Sequence, residues 1–171
     1  MEINKLLFKT PRLTIEKINL NEDITSLLSY HNDQETMQWI PNKMIKYQKA
    51  DILNKFKGYH KIGNIELGIY KIVIESSNTI IGEIGFFPVE KYNDAIELGY
   101  IIRKEYWSKG LGSELVKGVI DYLSLIKDCN KVIAQLYIGN ERSKRLCIKM
   151  EFNLINRDQI KSTYLKQLHQ Q

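Results

Sequence analysis

From Arg12 to Ile18, apolar Leu13 and Ile15 alternate with Arg12, Thr14 and Glu16, a period of two that predicts a first strand. Asn21 then reads as an N-cap, with Glu22 and Asp23 in the first turn of a helix whose apolar face carries Ile24, Leu27, Leu28 and His31. Asp33 caps a further helical turn through Met37 and Ile40, which Pro41 stops. A third amphipathic stretch over Lys46–Lys61 sets Ala50, Leu53, Phe56 and Tyr59 on one side.

The middle of the chain changes period. Gly68–Glu75 and Thr79–Phe87 are rich in Ile and Val and flank Ser76-Ser77-Asn78, which predicts a hairpin. Pro88 ends its second strand, Tyr92-Asn93-Asp94 forms the next turn, and Ala95–Ile102 is a third strand. Leu111, Leu115, Val119, Leu123 and Ile126 then recur at helical spacing. Gly118 inside that helix costs roughly 1 kcal/mol relative to Ala, so its presence predicts a close packing contact. Lys131–Ile138 is a β-branched strand, Asn140 begins a short helix through Met150, and short strands follow at Phe152–Arg157 and Ser162–Leu168. The order β-α-α-α-β-β-β-α-β-α-β-β predicts an α/β fold with one mixed, mostly antiparallel sheet and helices on both faces. No linker or internal repeat divides residues 1–171, so a single domain is expected.

Composition narrows the function classes. The formal net charge of +5 suits an anionic ligand, but the lysines are scattered and no run of five like charges occurs. Lys46-Tyr47-Gln48-Lys49 and Lys55-Phe56-Lys57 read as solvated helix faces, and no basic helix or aromatic–basic platform marks a nucleic-acid binder. Cys129 and Cys147 make no disulfide framework, and His31, His60 and His169 form no metal motif, so no metal is expected. Leu6-Leu7-Phe8 is too short for a signal peptide core, and no apolar run reaches membrane-spanning length. The expectation is a cytoplasmic protein with no membrane partner.

One loop carries chemistry. A strand, then Arg103–Gly112, then a helix is an arrangement that binds phosphate, because the first N–H groups of a helix lack internal partners and carry partial positive charge. Gly110 and Gly112 let the backbone approach an anion, Lys109 adds a cation, and Ser113 adds a hydroxyl. Neither GxxxxGK[ST] nor GxGxxG is present, so on its own the loop is equally a tight strand-to-helix connection.

The stretch from Glu97 through Tyr100, Ile101, Ile102, Trp107, Ser108, Lys109, Gly110, Leu111 and Gly112 resembles the acetyl-CoA signature of the GNAT superfamily of N-acetyltransferases, [QR]xxGx[GA]. Trp107 in the first position is similar to the RimJ/RimL-like branch, which includes enzymes acetylating ribosomal-protein N-termini. Thr10–Ile15 and Asn32–Ile40 look like that branch's opening strand and first helices. Asn140-Glu141-Arg142-Ser143 with Lys149-Met150-Glu151-Phe152 is similar to its NxxSxRxxxKxGF segment. Glu151 stands where the family usually has glycine, and Cys147 where many members carry a tyrosine.

The resemblance implies a GNAT-like sheet splayed at an acetyl-CoA site, with acetyl-CoA as co-substrate. Its pyrophosphate would lie on the backbone N–H groups of Trp107, Ser108, Lys109, Gly110, Leu111, Gly112 and Ser113. The main chain of Tyr100, Ile101 and Ile102 would pair with the pantetheine arm, Asn140 would contact that arm as well as cap its helix, and a strand N–H would act as oxyanion donor. Glu97 is the candidate general base, with Glu83 as rival, against the plain alternative of a strand carboxylate in an ion pair. Ser143 is the candidate acid for the departing thiolate, or simply a first-turn serine, and Cys147 reads as core filler. Trp39, Phe56, Tyr59 and Tyr70 read as core, with one or two lining the acceptor pocket.

The expected acceptor is a primary amine, first of all a protein or peptide N-terminus. The alternatives are a small molecule (an aminoglycoside, polyamine or amino acid) and a non-catalytic acyl-CoA-binding sensor. An acidic pocket built from Glu22, Asp23, Asp33, Glu35 and Asp51 would favour a cationic small molecule. Many relatives dimerise, so a homodimer is the partner state that the resemblance brings in.

Overall fold

The computed structural model describes residues 5–41, 43–56 and 58–169. The chain runs β1 (Leu6–Lys9), β2 (Leu13–Lys17), α1 (Leu20–His31), α2 (Lys49–Lys55), β3 (His60–Ile62), β4 (Ile65–Ile74), β5 (Thr79–Val89) and β6 (Tyr92–Ile102). A 3-10 turn (Lys104–Tyr106), α3 (Leu111–Ser124), β7 (Lys131–Tyr137), α4 (Glu141–Lys149), β8 (Asn153–Arg157) and β9 (Lys161–Gln167) complete it. The strands lie in the order β1-β2-β4-β5-β6-β7-β9-β8, with β3 paired to β4. Every pairing is antiparallel except β6 with β7, which run parallel and are joined by the α3 crossover.

Strand alternation divides the burial between two clusters. Ile102 and Leu98 of β6 point into the larger one, where α3 seats Leu115, Val116, Val119 and Leu123 and α4 seats Cys147. Ile101, one residue away and on the other face, meets Leu27 and Tyr30 of α1, Ile52 of α2 and Met37. Gly118 is where α3 crosses β1: a Cβ there would stand 2.5 Å from Thr10 Cγ2 and 3.1 Å from Phe8 Cε2, so the glycine marks a close contact. Among the described residues no helix is long and apolar enough to cross a membrane.

The structure corrects several local expectations. Helix α1 is capped by Asn19, whose side chain accepts from the amide of Asn21. Asp33 does bond the amide of Thr36, but residues 33–40 form successive turns rather than a helix. Helix α2 spans only Lys49–Lys55 and buries Ile52, leaving Leu53 exposed, because Gln48 and Asp51 close a capping box at one end and β3 begins soon after. Lys57 lies outside the described residues. Strand β5 runs through Pro88 to Val89, and the turn before β6 is Glu90–Lys91. The short strands β1 and β3 have no counterpart in the sequence reading, since three or four residues are too few to display a period.

The end of α4 explains the glycine that this sequence lacks. Phe152 N–H donates to Cys147 O at 2.9 Å and Glu151 N–H to Ile148 O at 3.0 Å, which is a Schellman closure with Glu151 in its left-handed position at φ 60°. A Cβ in that region costs about 1–2 kcal/mol, and the exposed Glu151–Lys166 pair at 3.3 Å offsets little of it. Glu151→Gly is therefore expected to stabilise the fold by roughly 1 kcal/mol. Urea unfolding checks this, and an unchanged or lowered midpoint would remove the strain argument.

Candidate active site

Parallel pairing of β6 with β7 covers only Ala95↔Lys131, Ile96↔Val132 and Glu97↔Ile133. Beyond Glu97 the two strands part, while β6 stays paired to β5 as far as Ile102 and β7 stays paired to β9. The opening is a cleft of about 850 Å³, within the usual range for a small-molecule site. Leu98–Ile102 line one wall and Ala134–Tyr137 the other.

The alternation of antiparallel hydrogen bonds decides which main-chain groups face it. Arg103 N–H donates to Ile81 O at 2.8 Å, and the register then turns the N–H and C=O of Ile101 and Gly99 toward β5. Those of Tyr100 and Ile102 turn toward the cleft, as does the C=O of Leu98, whose N–H belongs to the last parallel rung at Ile133. Of the three main-chain residues expected there, Tyr100 and Ile102 present their groups and Ile101 does not. The Ile102 carbonyl is already taken by the Trp107 indole N–H at 2.7 Å.

At one end of the cleft the loop after β6 curls through left-handed Ser108 (φ 59°) and Gly110 (φ 77°) into α3. The first amide to close a helical bond is that of Glu114, onto Gly110 O, so those of Leu111, Gly112 and Ser113 precede the ladder. The Trp107 amide is engaged by Lys104 O at 3.1 Å, so this residue offers its ring rather than its N–H. Arg142 stacks its guanidinium 4.0 Å from the centre of that ring, and Lys149 donates to Ser113 Oγ at 3.2 Å. Lys109 turns away, its ammonium 5.2 Å from the Tyr106 ring. The cations on the cleft wall near the loop thus come from α4, not from the loop itself.

The loop is braced from a distance. Glu114 accepts from Thr10 Oγ1 at 2.6 Å, from the Arg12 amide at 2.7 Å and from Arg12 Nε at 2.6 Å, while Arg12 Nη1 donates to Lys109 O at 3.1 Å. Burial raises the Glu114 pKa, but the hydrogen bonds from Thr10 and Arg12 outweigh it and hold the carboxyl below its usual value. Arg12 and Glu114 were invisible in the sequence, because 102 residues separate them.

Farther along the cleft, Glu97 sits half-buried where the strands part, accepting from Gln135 Nε2 at 3.1 Å. Across β6, the Tyr100 phenol lies beside the Ser143 side chain, and burial pushes its pKa up to about 12 against the lowering effect of that hydroxyl. Ser143 N–H donates to Asn140 Oδ1 at 3.3 Å, so Asn140 is the N-cap of α4. Cys147 is buried beside them, and burial lifts its thiol to about 11.

Glu83 has a different character from Glu97. It is 4% exposed and accepts from Tyr30 Oη at 2.6 Å and from Lys55 Nζ, which also meets His31 Nε2 at 2.7 Å. Burial raises its pKa, but His31, 3.3 Å away, and the charge of Lys55 win, holding it at about 2. Lys55, read from sequence as part of a solvated face, turns inward to this cluster. Of the early acids, Asp23 pairs with buried Lys71 at 2.9 Å, Asp33 and Glu35 hold Lys104 at 3.4 and 3.3 Å, and Asp51 caps α2. Neither these nor Glu22 lines the cleft. Trp39 does line it, lying against Gly139 at the exit of β7, whereas Tyr70 is core and Tyr59 bonds Ile69 O at 2.8 Å.

The chain and its fold resemble known proteins. A family model described as an acetyltransferase (GNAT) domain matches residues 12–153. The N-acetyltransferase p20 of Bacillus licheniformis, itself uncharacterized, is 27% identical over 146 residues, 84% of this chain and 80% of that protein. The fold superposes on RimL, a ribosomal L7/L12 alpha-N-protein acetyltransferase in complex with coenzyme A, with TM-score 0.77 at 13% identity, covering 97% of this chain and 99% of that one. It also superposes on the spermidine N-acetyltransferase of Vibrio cholerae in complex with CoA and spermine, with TM-score 0.73 at 16% identity over 91% and 95% of the two chains.

The Glu83 cluster has a pH signature. Its folded pKa lies below the ordinary value of 4.5, so its stabilisation is complete above 4.5 and lost as the pH falls toward about 2. Glu83→Gln is expected to be less stable at neutral pH and to lose less stability over that acidic window. Parallel acid titrations of the two proteins in denaturant would contradict this.

Proposed function

The chain belongs to the GNAT acetyltransferase family, and on that premise we propose that it transfers the acetyl group of acetyl-CoA to a primary amine, with a protein or peptide N-terminus as the acceptor. The observation that carries this reading is the parting of β6 from β7 at Glu97, with free helix amides at one end of the opening. Leu111, Gly112 and Ser113 amides, with those of Ser108, Lys109 and Gly110, suit a pyrophosphate, and Arg142 and Lys149 add charge of the right sign. The outward groups of Tyr100 and the N–H of Ile102 suit the amides of a pantetheine arm, with Asn140 at its other side.

Acetyl-CoA supplies a thioester that an amine can attack. Glu97, on one face of β6, accepts the amine proton directly or through water, and Gln135 holds its carboxylate in place. The outward N–H of Tyr100, the first beyond the parallel rungs, donates to the carbonyl oxygen, an interaction worth several kcal/mol when preorganised. Ser143, reached from the opposite face of β6 beside Tyr100, gives a proton to the departing sulfur. Base and acid thus lie on opposite faces of the strand that holds the reacting carbon, each within reach of its own proton transfer.

Two features favour a peptide acceptor in the RimJ/RimL-like manner over a polyamine. Trp107 stands in the branch's position, and the superposed RimL acts on a protein α-amine. The acids that would attract a polycation are engaged elsewhere, in pairs with Lys71 and Lys104 and in the α2 cap.

The decisive experiment is an amine panel (N-terminal peptides, spermidine, an aminoglycoside, free amino acids) with released CoA thiol as readout. Thiol release with N-terminal peptides, lowered about a hundredfold in Glu97→Gln at unchanged acetyl-CoA affinity, is the expected result. An unaltered pH–rate profile in that variant would remove Glu97 as base. CoA binding without thiol release for any amine would mark a sensor instead.

A further inference from the structure

The rungs between β5 and β6 contain an uncommon sequence of pairs on the face that α1 and α2 cover: Glu83↔Ile101, Gly85↔Gly99 and Phe87↔Glu97. The middle rung is two glycines directly opposite one another. It forms a trough one strand spacing wide, bounded by Glu97 at one end and the Lys55–Glu83–His31 cluster at the other. The bounding rungs lie about 13 Å apart at 3.3 Å per residue.

Phe87 does not stand upright on its rung. A Cβ on Gly85 would collide with its ring, at 2.5 Å from Cε2, and one on Gly99 would touch the same atom at 3.6 Å. The ring therefore lies back over both glycines. Neither glycine has a positive φ, so backbone conformation does not require glycine at either position, and the space taken by the ring does. Burial does not explain the pose either: Phe87 is 39% exposed, whereas adjacent Phe86 is 1% exposed in the core. The exposed side of the ring forms part of the cleft wall beside Glu97.

Resting on the acetyl-CoA reading above, we infer that Phe87 determines acceptor specificity by filling the Gly85–Gly99 trough. With the ring seated, the space next to Glu97 admits an amine whose first unit is compact, such as an N-terminal Gly, Ala or Ser. A long first side chain would have to run along the trough toward Lys55, and the ring occupies that path. The two glycines are positioning residues, kept small so that the ring lies flat.

Conjugates joining the CoA sulfur through an acetyl bridge to tetrapeptides that differ only in their first residue, Ala against Leu or Phe, report this without turnover. By calorimetry, the Ala-first conjugate should bind the unmodified protein at least tenfold tighter than the Leu- or Phe-first ones. Phe87→Ala should bring that ratio within threefold, and Gly85→Ala, which displaces the ring by its own Cβ, should move it the same way. CoA alone should bind all three proteins equally. An unchanged ratio in Phe87→Ala, or no discrimination in the unmodified protein, overturns the inference. Failure of CoA itself to bind the unmodified protein overturns the acetyl-CoA reading instead, and the inference with it.

Discussion

The structure turns on the point where β6 and β7 stop pairing. A parallel pair buried within a sheet normally continues, because each unpaired main-chain group removed from water costs about 1–3 kcal/mol. Here the pair ends at Glu97↔Ile133, while the outer neighbours of both strands hold on. The result is an opening inside the sheet whose wall is a strand edge. Such an edge matches an extended ligand that carries its own amides, and it sets the direction in which that ligand must lie. One end of the opening is fixed by the amides of α3 and the other by Glu97.

Much of the remaining architecture keeps that opening in shape. Arg12 and Glu114 tie the turn between β1 and β2 to the first turn of α3, and Arg12 also holds Lys109 O, so the loop is supported by a segment about 100 residues earlier in the chain. The Trp107 indole, fixed on Ile102 O, closes the loop's near end. On the other face, Glu83 gathers Tyr30, Lys55 and His31 from α1 and α2. A buried carboxylate needs such partners to stay charged, and the same bonds dock both helices over one face of β5 and β6. The charges that the sequence distributes evenly are in this way sorted by the fold into separate tasks.

The sheet, the α3 crossover and the α4 cap were legible because each has a local signature. Leu111 to Leu123 repeat at helical spacing, Asn140 precedes an amphipathic turn, and Lys131–Ile138 carries Val132, Ile133, Tyr137 and Ile138. The phosphate-type loop was legible through Gly110 and Gly112. What was not legible depends on pairing across the chain. The face of α2 was misjudged because a seven-residue helix offers too few positions to define a face, so Ile52 rather than Leu53 is the buried residue. Nothing near Lys55 signals that it meets Glu83, 28 residues on. The role of Gln135 and the pose of Phe87 follow from register, which the sequence pattern leaves open.

Coenzyme A lying along the β6 edge with its phosphates on the α3 amides would perturb a particular set of backbone amides, and chemical shifts during a CoA titration of isotope-labelled protein read them one by one. The largest shifts are expected at Ser108–Ser113 and at Tyr100 and Ile102, with a small response from the Ile101 amide that faces β5. Comparable shifts at Ile101 and Tyr100, or an unaffected α3 N-terminus, would contradict that placement.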